Sequence, residues 1–528
     1  MKQKFILFFL FIFSASVVKA QTSPGDSTQV NILEGTQRQM FKRLPDGTEL
    51  LILAGNVRLK QGTALFYCDS CIVNEKTNVF EAFGNVHIND SDTAHVYANY
   101  LRYLTDKRIA YLKGSVKLTD GQGTLITNEL EYDMASRIGT YFNGGTVLNK
   151  KSVLTSREGV YYADLRDIYF KGNVELKDPA YNLKSDSLIY NTESQIARFI
   201  AETFIRDSSN RTIRTEEGFY DLRYGRAEFT QRTTIIDGDM FIEGNEIASD
   251  DSSGISQIRG NGVLIDKKQG VSILANEIFA NKKTEAYLAT RKPLMIIKQD
   301  KDSIYITADT LYSARLTDLL KIPDSLQKIS QEEIKVSEKD STNRYFEAFK
   351  NVRVFSDSVQ TVSDSLFYSF KDSVFQLYKD PVVWNNKNQI MGDTIFLYTK
   401  NKKASRIKVF ENSFLISEAG QNIYNQVRSS RMDGFFKEGK IDSVRARGAA
   451  ESVYYVQDSD SAYTGINQTS SDIMDVFFAN GDLNKVVFRS SIKGTLWPIS
   501  QKTSEEVQLK GFQWLESRRP KTKYELFE

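Results

Sequence analysis

Short runs in which apolar and polar residues alternate follow one another along most of the chain. Alternate residues of a strand share a face, so these runs predict half-buried β-strands. A first template reads Gly-x-Val-x-Leu, and its copies begin at Gly55, Gly84, Gly114, Gly144 (a degenerate copy) and Gly172. Successive glycines are 29, 30, 30 and 28 residues apart. This regular step predicts a structural repeat of about 29 residues.

A second template follows the first and reads small residue, Asp or Asn, x, Leu, x, Tyr. Its copies are "ANYLRY" (98–103), "TNELEY" (127–132), "SDSLIY" (185–190) and "SDSLFY" (363–368). Period-two counting predicts that Asn99, Leu101 and Tyr103 share one face. Polar turns such as "NDSD" and "TDGQ" separate the runs, and this spacing favours an all-β, antiparallel or coiling architecture.

One stretch occurs twice, far apart in the chain. "NVFEAFGNVHINDSD" (78–92) has a near-copy in "RYFEAFKNVRVFSDS" (344–358). A catalytic motif rarely needs a second copy, whereas a repeat unit does, because one unit cannot bury its apolar face alone. The duplication therefore indicates a structural role.

The patterns also predict how the chain is divided. Residues 318–343 are charged, lack the alternation and contain Pro323, which indicates a linker or an insertion. Residues beyond 495 leave the repeat and are predicted to form a tail or cap. The predicted segments are a signal peptide (1–20), β-repeat modules (28–205, 206–317 and 344–495), the linker (318–343) and the tail (496–528).

The N-terminus has the order of a secretory signal. Lys2 and Lys4 precede an apolar run, and Val18-Lys19-Ala20 is a small-residue cleavage site. An uncleaved anchor is the alternative. Cleavage leaves 66 basic and 67 acidic residues, a balance that gives no electrostatic reason to expect nucleic acid binding.

Candidate catalytic residues are few. The two histidines, His87 and His95, fall within one repeat and are predicted to be solvent-exposed strand or turn residues. Cys68 and Cys71 are predicted to be small strand residues on opposite faces, with a local disulfide left open if the strand breaks there. The acidic residue of the second template recurs in every unit, which indicates a turn or strand-edge role. We therefore predict that the protein is not an enzyme and that it has neither a cofactor nor a metal site.

The order and spacing of these motifs resemble the OstA/LptA family of lipopolysaccharide-transport proteins, above all the long OstA-like form. The resemblance implies tandem, twisted antiparallel β-jellyroll modules, open at their ends, with an apolar groove between two sheets. It also implies a periplasmic protein, free or associated with the outer membrane, that carries lipopolysaccharide by its lipid A acyl chains. Its implied partners are other lipopolysaccharide-transport proteins, joined edge to edge by strand pairing.

The resemblance implies that inward-facing residues line the lipid groove. These candidates are Val57, Leu59, Val86, Ile88, Leu101, Tyr103, Val116, Leu118, Leu130, Tyr132, Val174, Leu176, Leu188 and Tyr190. The same residues suit an alternative function, an exported structural or adhesive repeat protein with a filled core. Interior volume distinguishes the two, because a lipid groove leaves room between the sheets. An envelope thiol enzyme using Cys68 and Cys71 is a third alternative.

Overall fold

The structure is a computed structural model that describes residues 29–298, 303–319, 343–401, 403–460, 462–479 and 481–527. The predicted signal peptide and most of the predicted linker lie outside these residues. The all-β prediction is confirmed, since the described chain is almost entirely strand. Two compact units meet at the boundary between Ile168 and Tyr169. The finer division proposed from the sequence stays a prediction.

The first unit contains twelve strands among its described residues. They are β1 (Asn31–Ile32), β2 (Arg38–Arg43), β3 (Glu49–Gln61), β4 (Ala64–Asn74), β5 (Val79–Asp90), β6 (Ala94–Leu104), β7 (Ile109–Thr119), β8 (Gly123–Asp133), β9 (Ile138–Tyr141), β10 (Gly145–Asn149), β11 (Ser152–Ser156) and β12 (Glu158–Tyr162).

The described part of the second unit has twenty-eight strands, the first of which begins at the boundary. They are β13 (Asp167–Lys177), β14 (Tyr181–Asn191), β15 (Ile196–Phe199), β16 (Thr203–Asp207), β17 (Thr212–Thr215), β18 (Gly218–Asp221), β19 (Arg226–Phe229), β20 (Thr233–Asp237), β21 (Met240–Gly244), β22 (Glu246–Asp250), β23 (Ile255–Asp266), β24 (Val271–Asn281), β25 (Ala286–Thr290), β26 (Leu294–Lys298), β27 (Ser303–Thr307), β28 (Thr310–Ala314), β29 (Tyr345–Phe355), β30 (Gln360–Ser369), β31 (Val374–Tyr378), β32 (Val382–Asn385), β33 (Asn388–Met391), β34 (Thr394–Lys400), β35 (Lys403–Gly420), β36 (Ile423–Lys437), β37 (Lys440–Gln457), β38 (Tyr463–Ala479), β39 (Asp482–Arg489) and β40 (Lys493–Pro498).

Among the described residues, helix is confined to short pieces of the second unit. They are α1 (Leu316–Leu319) and three 3-10 helices, Ile499–Gln501, Glu516–Arg518 and Lys523–Phe527.

Each repeat is a hairpin whose two strands bend halfway along their length. β3 pairs with β4 on both sides of its bend, and the register shifts between Ala54 and Val57. The bend therefore divides each hairpin between two antiparallel sheets. We call the sheet that follows the glycine of the first template sheet I (in β3, Val57–Gln61) and the other sheet II (in β3, Leu50–Ala54). In later repeats the bend separates two named strands, as with β9 and β10, and both units are built in this way.

The bend explains why the two templates recur together. Gly84 and Asn85 both adopt positive φ, at 72° and 42°, conformations that Gly and Asn adopt more readily than most residues. The Asn85 side chain donates to Asp69 of the preceding strand at 2.9 Å, and a Cβ on Gly84 would overlap that carboxylate. The acidic residue thus has the structural role that the sequence indicates.

The same arrangement recurs in the second unit. Asn351 donates to Asp309 at 3.0 Å, and Asn412 donates to Asp393 at 3.2 and 3.0 Å. The prediction that Asn99 shares a face with Leu101 and Tyr103 is wrong. Asn99 is exposed at the bend, whereas Leu101 and Tyr103 point inward. The register shift between Tyr97 and Tyr100 breaks the period-two count there.

The duplicated "FEAF" occupies equivalent places in the two copies. Phe80 and Phe346 are fully buried between the sheets, whereas Phe83 and Phe349 are exposed beside the bend. The repeated motif is therefore core packing next to a bend, as the duplication indicates.

Candidate functional site

All fourteen predicted groove residues point into the space between the two sheets of their own unit. Each has at most 3% of its surface exposed. Around Phe66 in the first unit, the ring centroids of Phe80 and Tyr103 lie 5.2 and 4.9 Å away. These fourteen side chains are therefore buried, and they fill the space at their positions. Contact with lipid at these residues stays a prediction.

Three buried tyrosines of the first unit, two of them from the second template, bridge the two sheets at the ends farthest from the bends, which we call the mouth. Tyr132 donates to Asp90 at 2.9 Å, and Tyr161 donates to Asp120 at 2.6 Å. Tyr103 donates to Gln61 in the same way. Each tyrosine lies near the end of sheet II, and its partner lies 41 or 42 residues earlier at the end of sheet I. We call these bridges tyrosine clasps.

Burial and hydrogen bonding shift the pKa values of side chains that form the clasps. Desolvation raises the pKa of Tyr103 to about 12, so this side chain remains a neutral donor. Burial also raises the pKa of Asp120, but hydrogen bonds from the Gly123 amide, Tyr161 and the Gln122 amide outweigh it and hold that pKa below its usual value. The Asp120 clasp is therefore formed with an ionised carboxylate at neutral pH.

Room between the sheets exists in the second unit. A cavity of about 380 Å³, which we call the middle cavity, opens at the mouth between β17 and β29. Its apolar wall is formed by Ile213, Ile235, Met240, Ile242, Ala280 and Tyr287. Its charged rim carries Arg211, Lys268, Lys282 and Arg344 together with Asp237, Asp239, Asp266 and Glu285.

The middle cavity has a simple origin in the sequence. At the place that Tyr132 and Tyr161 occupy in the first unit, β22 carries Ser249 and β24 carries Ala280. Two large rings are thus replaced by small side chains, and the space they would fill stays open. The sequence analysis missed this site, although the missing tyrosines in "EIASD" and "NEIFAN" were a readable signal.

Ion pairs replace the tyrosine clasps around the middle cavity. Lys282 at the end of sheet II pairs with Asp237 at the end of sheet I. Arg211 reaches Asp251 with two bonds of 3.0 and 3.2 Å. The Lys282 side chain is 62% exposed, and an exposed pair contributes only about 0–1 kcal/mol to stability, so the Lys282–Asp237 pair closes the mouth weakly.

Asparagines bridge the sheets nearer the C-terminus. Asn385 donates to the carbonyl oxygens of Ser358 and Gly439 at 2.7 and 2.9 Å, and its own oxygen accepts from the Ile441 amide. Asn388 donates to the Gly481 carbonyl at 2.8 Å. Gly439 and Gly481 belong to turns of sheet II, so buried amide groups hold the two sheets together there.

The two histidines are less exposed than predicted. His87 and His95 are half-buried on the outer face of sheet I, with 3.1 Å between Nε2 and Nδ1. His87 stacks on Tyr97 at 4.4 Å, and burial together with the charge of His95 lowers the pKa of His87. Cross-strand stacking accounts for their proximity, and the described residues contain no cluster of three metal-ligating side chains.

Cys68 and Cys71 are buried, as predicted for small strand residues, but they lie on the same side. The bend at Asp69 and Ser70 shifts the register, so both thiols point inward instead of to opposite faces. Their mutual hydrogen bond is the largest influence on both groups and lowers the pKa of Cys68 while it raises that of Cys71. Both are free thiols here.

Comparison with known proteins identifies part of the chain. Residues 28–186 match the family of OstA-like proteins. No curated protein matches the chain. Among the described residues, no helix has both the length and the apolar character of a membrane span.

The matched region begins just before β1 and ends within β14, so it contains every described strand of the first unit. The match confirms the resemblance drawn from the glycine steps and the second template. At the level of the family it supports a part in lipopolysaccharide or lipid transport. Residues 28–186 are thus similar to OstA-like proteins, and the antiparallel strands of the described chain are consistent with tandem OstA-type β-jellyroll modules.

Proposed function

We propose that this protein binds the acyl chains of lipopolysaccharide between its sheets, in the periplasm, and carries the lipid towards the outer membrane. The observation that supports this most directly is the middle cavity, an open space with apolar walls between the sheets of the second unit. Its volume of about 380 Å³ falls within the range of about 300–1,000 Å³ typical of ligand sites.

The chemistry of the middle cavity suits an amphiphile. Each methylene group that leaves water for the wall formed by Ile213, Ile235 and Ile242 contributes about 0.8 kcal/mol. A lipid headgroup can remain at the charged rim, where Lys268 can pair with phosphate. Such binding needs no catalytic group.

The clasps suggest where lipid enters. The Lys282–Asp237 pair at the middle cavity separates at low cost, whereas each tyrosine clasp of the first unit lies over a filled interior. Lipid therefore loads at the middle cavity. Carriage beyond that point requires clasps to open in turn.

The proposed route also needs neighbours. Strand β2 is exposed along its whole length, and Phe41 keeps 72% of its surface exposed. Such an edge can accept a strand of another β-jellyroll protein of the transport system. We propose this edge as the joint with a partner.

Native mass spectrometry of the mature protein from its own envelope, with extraction of bound lipid, tests the proposal. We expect lipopolysaccharide or lipid A at a defined stoichiometry. Ala280→Phe should fill the middle cavity and reduce binding at least tenfold while the unfolding temperature stays unchanged or rises. The control is Ile255→Phe on an exposed residue of β23, which should bind as the wild type does.

The packed first unit favours a second candidate, a structural repeat protein of the envelope. Its interior has the dense aromatic packing of a filled core around Phe66, Phe80 and Tyr103. A lipid-free protein that also refuses added lipopolysaccharide would support this candidate and overturn the transport proposal.

A further inference from the structure

The C-terminal segment 503–527, which we call the strap, does not continue the repeat. It runs backwards along the outer face of sheet I in the second unit, from β36 past β33 and β30 to β29. Every backbone–backbone hydrogen bond formed by its described residues joins two residues of the strap itself. The strap is therefore attached to the sheet by side chains and not by a β-ladder.

Three buried glutamines on three different strands hold the strap. Gln426 accepts the Leu509 amide at 2.9 Å. Gln389 makes two bonds to the strap backbone, accepting from the Leu515 amide and donating to the Gln513 carbonyl, both at 2.7 Å. A side-chain amide that accepts and donates in this way matches the two polar groups of an extended peptide backbone.

The third glutamine holds a side chain. Arg519 donates from Nε and Nη2 to Gln360 at 2.9 and 2.7 Å, and from Nη1 to the Asn386 carbonyl at 2.9 Å. Arg353 of β29 then donates to the Glu525 carbonyl at 2.9 Å. The polar contacts thus follow the whole length of the strap.

Apolar pockets lie between these polar contacts. Val507 and Leu509 are buried against Phe414, Ile416 and Tyr455 on the outer face of the sheet. Further along, Leu515 packs on the cluster that contains Trp384, whose indole also donates to Gln389 at 3.2 Å. Backbone contacts combined with spaced side-chain pockets are the usual means of recognising an extended peptide.

We propose that this outer face is a peptide-binding site and that its ligand is the chain's own C-terminal segment, held reversibly. Side-chain contacts on an outer face can break without disturbing the hydrogen-bond ladders of the sheet. The ligand is an extended peptide that presents Val507, Leu509 and Leu515 to pockets and Arg519 to the Asn385–Asn388 turn. The site does not depend on lipid binding.

The strap is also connected to the mouth. Arg519 holds the carbonyl of Asn386, and the neighbouring Asn385 and Asn388 hold the turns of sheet II. A docked strap therefore fixes the turn that closes this part of the mouth. Release of the strap frees that turn.

A cleavable full-length chain tests the proposal. A specific protease site is inserted between Gln501 and Lys502, and the purified protein is cut after folding. We expect the fragment to remain bound on gel filtration and to exchange with a labelled synthetic peptide of residues 502–528. Binding should saturate and be reversed by unlabelled peptide.

Changes are made in the peptide, so the folding of the receptor is unaffected. Leu515→Ala and Arg519→Ala peptides should each bind at least tenfold more weakly. A Tyr524→Ala peptide is the matched control, because Tyr524 is 77% exposed, and should bind like the wild type. Failure of the labelled peptide to bind a cut chain with an unchanged circular dichroism spectrum would overturn the proposal. So would a fragment that never exchanges over several days.

Discussion

At the residue scale, single hydroxyl groups close the mouth of the first unit. Tyr161 donates to Asp120, while its neighbour Tyr162 points outward from the same strand. Substituting these two residues one at a time therefore distinguishes the stability that a clasp contributes from that of an outward-facing tyrosine on the same strand, β12.

Tyr161→Phe should lower the free energy of unfolding by about 1–3 kcal/mol, because it leaves a half-buried carboxylate without one of its donors. Tyr162→Phe should change it by less than about 0.5 kcal/mol. Urea unfolding at pH 7, followed by circular dichroism, measures both. Equal effects of the two substitutions would contradict the clasp.

The same clasp predicts a dependence on pH. The pKa of Asp120 lies below its usual value in the folded chain, so its stabilising effect is complete above the unfolded value of about 3.9. The effect is lost as the pH falls through the folded pKa. Between pH 5 and pH 2 the wild type should therefore lose more stability than Tyr161→Phe. Parallel stability curves for the two proteins would show that Tyr161 does not contribute to the low pKa.

At the element scale, the bent hairpin depends on backbone with positive φ, which most residues other than Gly and Asn adopt only at a cost in free energy. Gly84→Ala places a Cβ against the Asp69 carboxylate in a left-handed conformation. Gly62→Ala is the matched control, since Gly62 has a φ of 57° with nothing near its Cβ position. The control should cost about 1–2 kcal/mol and Gly84→Ala clearly more. Thermal unfolding of both variants, and of Gly84→Ala combined with Asp69→Ala, measures the difference. If removing the Asp69 carboxylate does not recover part of the stability lost in Gly84→Ala, the clash is not the cause.

The Lys282–Asp237 ion pair at the middle cavity predicts an effect on the rate at which lipid binds. Lys282 is 62% exposed and Asp237 28%, so their pair adds little stability but crosses the mouth. Asp237→Asn should load lipid faster, with an unfolding temperature within a few degrees of the wild type. In the wild type, high salt should produce the same acceleration because it screens the pair.

Stopped-flow binding of a fluorescent lipopolysaccharide measures this rate. Asp239→Asn is the control, because Asp239 lines the same cavity while the described ion pairs across the mouth do not involve it. Loading that is independent of salt and of Asp237 would place the entry of lipid elsewhere.

Much of each element could be predicted from the pattern of residues. The glycine steps predicted a repeat of about 29 residues, and in the structure these glycines lie at the bends. Alternation failed at Asn99 and at Cys68 and Cys71, because a bend adds residues to one strand and shifts the period. The middle cavity was not predicted, since it depends on tyrosines that are absent and on how two sheets meet. For the strap the sequence predicts only a tail or cap, because the glutamines that hold it lie more than 80 residues earlier in the chain.

At the scale of the whole molecule, the chain combines two kinds of interior. The first unit is filled and clasped by tyrosines, whereas the second contains the middle cavity and carries the strap on its outer face. A transport role requires that the filled layers open, and a structural role requires that they do not. The proposed joint at β2 provides a separate test, because only the transport proposal needs a neighbour there.

Met40→Glu should abolish association with another β-jellyroll protein of the envelope without affecting the fold. Met40 is exposed, so its replacement costs little stability, whereas a charge on an edge strand opposes pairing with a second strand. A photo-crosslinking residue at position 41, used in intact cells, measures the association, and the same residue at Tyr224, exposed in a turn of the second unit, is the control. Crosslinks to a β-jellyroll partner from position 41, lost when Met40 also carries a charge, would support the joint. An absence of crosslinks from position 41, in cells whose protein still binds lipid, would mean that lipid is carried without a neighbour at this edge.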